Sequence, residues 1–81
     1  MLRLQLVSLQ QPPHEYQVLW VELHTPTGNY IIQPGHAPMI VVLTPDTKVH
    51  CLLAHNREQK TILVTSGIAH VQRERVVLAL G

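Results

Sequence analysis

Apolar and polar residues alternate along this chain. Leu2, Leu4 and Leu6 are separated by Arg3 and Gln5, and Leu19, Val21 and Leu23 by Trp20 and Glu22. Neighbouring side chains on an extended backbone point to opposite faces, so a period of two marks a strand with one buried face. No stretch carries a convincing 3.6-residue period of an amphipathic helix. Turn chemistry breaks the alternation about every 8–12 residues. The breaks are Gln10-Gln11-Pro12-Pro13-His14, Thr25-Pro26-Thr27-Gly28-Asn29, residues 33–38, Thr44-Pro45-Asp46, residues 55–58, Ser66-Gly67 and Arg73-Glu74. The expected strands are residues 2–9, 16–24, 30–32, 39–43, 47–53, 60–65, 68–71 and 76–80. This predicts an all-β fold, a two-sheet β-sandwich of about 8–10 short strands. In the second strand, Leu19, Val21 and Leu23 are expected on one face, with Val18, Trp20, Glu22 and His24 on the other. The apolar run 39–43 reads as a buried strand, and with Leu2, Leu4, Leu6, Leu19, Val21 and Leu23 it supplies the expected core.

The chain has 81 residues, which suits one domain, residues 1–81. A chain of this size buries roughly 60–65% of the surface its unfolded form exposes, leaving little room for a deep pocket beside a core. Hydrophobic residues make up 46% and charged residues 14%, which excludes a disordered chain. Six basic and five acidic residues are scattered, so no basic face tracks a phosphate backbone and nucleic acid is not an expected partner. The lone Cys51 cannot form an internal disulfide, which favours a reducing compartment. No apolar run approaches the roughly 18–20 residues of a membrane span. The opening residues have the layout of neither a signal nor a transit peptide.

Catalytic chemistry finds little support. Thr65-Ser66-Gly67 is not a nucleophile elbow, and no helix follows it. Glu15, Glu22, Glu58 and Glu74 are isolated, and the glycines match no phosphate-binding fingerprint. Cys51, in an apolar strand, reads as a small core residue. The histidines at 14, 24, 36, 50, 55 and 70 show no H-x-H or H-E-x-x-H spacing, and His50 and Cys51, being adjacent on a strand, point apart. No catalytic, cofactor or metal residue is therefore expected. His24, His50 and His70 are the set whose convergence across strands the sequence leaves open. The unusual segment is 28–38. Gly28 allows a turn, Pro34-Gly35 makes a bend, and Pro38 forces Ala37 extended, so His36 sits on a rigid loop. That suits either recognition or a structural corner whose histidine bonds a nearby carbonyl.

The run Gly28-Asn29-Tyr30-Ile31-Ile32-Gln33-Pro34-Gly35-His36-Ala37-Pro38-Met39 resembles a hallmark of the epsilon subunit of F-type ATP synthases, called delta in mitochondria. The hallmark is G-E-x-G-I-x-P-G-H-A-P-L, in that subunit's N-terminal β-sandwich domain. Leu4-Gln5-Leu6-Val7-Ser8, Leu43-Thr44-Pro45-Asp46, residues 63–71 and Val76-Val77-Leu78-Ala79 resemble its other strands and turns. Asn29 replaces the family's glutamate, Ile31 its second glycine, Asp46 a turn glycine and Ser66 one of a glycine pair. Tyr16 stands nearest to a missing phenylalanine.

The resemblance implies a non-catalytic central-stalk subunit with no cofactor. It would link the gamma subunit to the membrane c-ring and couple ion transport to ATP synthesis. The implied interface is Gly28, Asn29, Tyr30, Ile31, Pro34, Gly35, His36, Ala37, Pro38 and Met39. Pro34 to Met39 would set the loop facing gamma or the ring, and Gly28 to Ile31 the ring-proximal end. Placement would be peripheral on the energy-transducing membrane, through the complex, on the cytoplasmic face if bacterial. The family usually adds a C-terminal helical hairpin, which is not expected here. Two alternatives stay open: a stand-alone β-sandwich binding module, and a cupin-like metal-binding protein suggested by Pro-Gly-His.

Overall fold

The computed structural model describes all of residues 1–81 and contains eight strands and no helix. They are β1 (Leu2–Ser8), β2 (His14–Thr25), β3 (Gly28–Ile32), β4 (Met39–Val42), β5 (Thr47–Leu53), β6 (Gln59–Val64), β7 (Gly67–Val71) and β8 (Arg75–Leu80). Every expected strand is present, and the second starts two residues earlier than its alternation suggested.

The strands join in the order β4-β7-β8-β1-β2-β5-β6, with β3 added to β2. All neighbours are antiparallel except β1 and β8, which run parallel from Arg3↔Arg75 to Ser8↔Leu80. β2 organises this path. Val18 pairs with Leu2 of β1 on one edge and with Leu53 of β5 on the other. Further along, Val21 pairs with Ile32 of β3 and Cys51 of β5. β1 and β3 thus occupy the same edge of β2 at its two ends, with β5 along the opposite edge. The inner faces of both halves meet in a single cluster of 14 buried residues, including Leu2, Leu4, Val21, Leu23, Val49, Val71 and Leu78. One ladder whose strands all bury a single face in one cluster must curl back on itself. The result is the expected β-sandwich.

Two expectations about the core are corrected. Val18 is fully buried and Leu19 only half-buried. The β2–β5 register slips between Val18 and Trp20, so two steps on β2 match the single step from Leu53 to Leu52. Leu19 is the extra residue of a β-bulge. A one-residue insertion reverses which face each following side chain takes. Val18 therefore shares the core with Val21, Leu23 and Thr25, while Glu22 and His24 face outward. The second correction is β4. It is an edge strand, paired only with β7, and Ile40 and Val42 are 69% and 61% exposed. Met39 and Val41 pack against the core, and Leu43 just beyond the strand is buried. In the first strand Leu2 and Leu4 are buried, and Leu6 packs against them half-exposed.

One of the substituted turn positions carries a backbone cost. Asp46 stands where the resembling family has glycine and adopts φ 52°. This is left-handed backbone, which an aspartate tolerates better than most side chains. Ser66 precedes Gly67, where a Cβ would meet the Ala79 carbonyl oxygen at 2.8 Å. That glycine is set by the close approach of β8.

The bulge can be tested by stability. Val18→Thr keeps the shape but buries a hydroxyl, and is expected to cost about 1–3 kcal/mol in urea denaturation. Leu19→Thr is expected to cost less, the reverse of what unbroken alternation requires.

Candidate functional site: the corner from Gly28 to Met39

The corner begins at a tight β2–β3 hairpin. Thr25 Oγ1 donates to the Gly28 carbonyl at 2.7 Å and accepts from the Thr27 amide at 3.3 Å, so the hydroxyl of this buried residue is satisfied within the turn it braces. Asn29 then pairs with His24, Tyr30 with Leu23 and Ile31 with Glu22. Tyr30 packs against the core, whereas Ile31 is 59% exposed. Asn29 Oδ1 lies 2.8 Å from His24 Nδ1. A carbonyl oxygen only accepts, so His24 carries its proton on that nitrogen.

The second half of the corner is a type II turn. The His36 amide donates to the Gln33 carbonyl at 3.1 Å, and Gly35, at the third position, has φ 87°. Pro34 supplies the fixed φ of the second position, and the left-handed third position suits glycine. The Gly35 amide donates to the Arg73 carbonyl at 2.6 Å, which ties the turn to the β7–β8 connection. His36 is half-buried, and its Nδ1 donates to the Ala37 carbonyl at 2.7 Å. The carbonyl-bonded corner anticipated as one role of this histidine is therefore present. Ala37 and Pro38 are exposed, and Met39 opens β4 opposite Val71.

The structure separates the expected residues into two groups. Gly28, Asn29, Tyr30 and Ile31 lie on β3 against the far end of β2. Pro34, Gly35, His36, Ala37, Pro38 and Met39 lead away to β7. The largest concavity is elsewhere, an open groove lined by Tyr16, Leu53, Ala54 and His55 among others. Cys51 is fully buried, and loss of hydration pushes its thiol above the usual range. It behaves as the core residue that its strand context suggested.

Sequence reasoning missed an outward apolar row. Val42 pairs with Ile68, Ile68 with Ala79, and Ala79 with Val7. The row crosses β4, β7, β8 and β1, and all four side chains are exposed, Ile68 by 47% and Val7 by 43%. The next row begins with Ile40 opposite His70. The strand alternation contained this signal, but the neighbour order did not follow from it.

The family model of the ATP synthase delta/epsilon chain, β-sandwich domain, matches residues 1–80. The chain belongs to this family. The delta/epsilon fold recurs in the mitochondrial ATP synthase of Euglena gracilis, in rotational state 1. A chain there superposes with a TM-score of 0.77 at 18% identity, over 95% of this chain and 48% of that one. The central-stalk and c-ring structure of the Tetrahymena thermophila mitochondrial ATP synthase gives a TM-score of 0.80 at 13% identity, over 98% of this chain and 62% of that one. Identities this low speak for the fold alone. The delta/epsilon-type chain thus spans 48% and 62% of the lengths of these two structural relatives. No curated protein matches it.

The family hallmark makes a local prediction. A Cβ on Gly35 would meet nothing within 4 Å, so Gly35→Ala tests backbone conformation alone. It is expected to lower stability by about 1–2 kcal/mol, measured by urea denaturation.

Proposed function

We propose that this chain is a non-catalytic central-stalk subunit of a rotary F-type ATP synthase, with residues 1–81 forming one sandwich domain. It would join the gamma subunit to the membrane c-ring and transmit rotation between them. Family membership over residues 1–80 supplies the class. The outward row Val7, Ala79, Ile68 and Val42 carries the reading further. An adaptor must present an apolar face to a partner, and contiguous exposed apolar residues on a sheet mark an interaction surface.

In this reading the row on β4, β7, β8 and β1 docks on gamma. The corner residues divide the remaining work. Pro34, Gly35, His36, Ala37, Pro38 and Met39 form a rigid loop beside that face. Gly28, Asn29, Tyr30 and Ile31 form the ring-proximal end, where Asn29 takes the place of the family's glutamate and Ile31 offers an exposed apolar side chain. Torque transmission demands a body that does not deform under load. A close-packed core with short connections supplies this without a disulfide. No helix of the chain is long and apolar enough to cross a membrane. The proposed placement is peripheral, held at the energy-transducing membrane by the complex, on the cytoplasmic face in a bacterium.

The test is to mix the chain with the gamma subunit from the same genome and run size-exclusion chromatography. A one-to-one complex is expected at concentrations on the order of 10 μM. Ile68→Asp should abolish it while leaving the circular dichroism unchanged, because that side chain already faces water. Separate elution of the unmodified chain and gamma would contradict the reading.

A further inference from the structure

Glu22, His24 and His50 converge on the outer face of β2 and β5. Glu22 and His50 are directly opposite each other across the two strands. His24 follows Glu22 by two residues, so it shares that face. Each side chain offers one ligand atom, and these atoms all lie within 4.8 Å of one another. His70, the third histidine left open by the sequence, is on β7 and takes no part. His36, on which the cupin-like alternative rested, is likewise outside the group.

We propose that these residues form a two-histidine, one-carboxylate site for a divalent transition metal, with Zn²⁺ as the best-suited ion. Three observations support it. First, both imidazoles have an oxygen partner at Nδ1. His24 Nδ1 donates to Asn29 Oδ1 at 2.8 Å, and His50 Nδ1 lies 3.0 Å from Thr61 Oγ1. The acceptor on His24 holds the proton on Nδ1 and frees its Nε2 lone pair for a metal, and the Thr61 hydroxyl, by accepting, does the same for His50 when metal binds at Nε2. The Gln59 amide nitrogen makes a longer contact with the same atom, 3.5 Å from His50 Nδ1 against 3.0 Å for the Thr61 hydroxyl. Second, His24 Nε2 and Glu22 Oε1 are 3.7 Å apart. That is too long for a hydrogen bond, yet close to the separation of about 3.3 Å between two ligands on one tetrahedral zinc with bonds near 2.0–2.1 Å. Third, the His24 and Glu22 side chains are each 29% exposed, and the two imidazoles meet edge to face with centroids 6.2 Å apart. The three groups are held by the sheet rather than splayed into solvent.

The donor set selects the metal class. Two imidazoles and one carboxylate favour Zn²⁺ and its transition-metal neighbours over Mg²⁺ or Ca²⁺, which prefer all-oxygen shells. The small closure needed from 4.8 Å is within the reach of side-chain rotation. Water completes the fourth position.

The purified full chain, stripped with a chelator, is titrated with Zn²⁺ by calorimetry, and the product is weighed by native mass spectrometry. One zinc per chain is expected. His50→Ala and His24→Ala should each weaken binding at least 100-fold. Asn29→Ala, which removes only an outer partner, should weaken it about 10-fold. His14→Ala, His55→Ala and His70→Ala should leave it unchanged. Circular dichroism of each variant confirms the fold, and Glu22→Gln provides a near-isosteric loss of one ligand should the histidine variants fail to fold. Absence of zinc binding overturns the site, as does binding indifferent to His24, His50 and Glu22.

Discussion

The bulge in β2 is the constraint on which the rest of the structure depends. β2 is the only strand paired with three others, with β1 and β3 at its two ends on one edge and β5 on the other. Were Leu19 an ordinary ladder residue instead of a bulge, strict alternation from the buried Val18 would run straight through. Val21 and Leu23 would turn outward, and Glu22 and His24 would turn into the core. Burying an unpaired carboxylate costs far more than a domain of this size can tolerate. The bulge thus secures the apolar interior, and it also brings Glu22 and His24 to the surface beside His50.

The two outer faces differ in chemistry. One crosses β4, β7, β8 and β1 with Val42, Ile68, Ala79 and Val7 in register. The other carries Asn29, Glu22, His24, His50 and Thr61 across β3, β2, β5 and β6. An apolar edge strand such as β4 is an aggregation hazard when left bare. A partner that covers it removes the hazard, which fits a subunit built to live in a complex. The interior is entirely apolar apart from the hydrogen-bonded Thr25, so stiffness rests on packing.

Much of this was legible in the sequence. Period-two alternation and the Pro, Gly and Asp turns located all eight strands, and the Pro-Gly-His-Ala-Pro run located the type II turn. The bulge was not legible, because Val18, Leu19, Trp20 and Val21 are all apolar and carry no mark of an inserted residue. β4 was misread for a related reason. A wholly apolar run suits a buried strand, and only the strand order shows that one of its faces has no cover. The Glu22, His24 and His50 group was invisible as a set because its spacing is defined across strands. Whether His70 joined His24 and His50 stayed open for lack of a register, and it does not. His36 was legible in both place and bond, since Pro34 and Pro38 leave its loop little freedom.

The central claim is that the β4–β7 side of the sandwich is covered in the working assembly. Hydrogen exchange of the chain, alone and bound to gamma, tests it most directly. β4 has one unpaired edge, so its free amides should exchange quickly in the isolated chain. The account predicts that gamma slows exchange in Met39–Val42 and Gly67–Val71 and leaves Gln59–Val64 unchanged. A complex in which protection falls on Gln59–Val64, or on neither side, would contradict it.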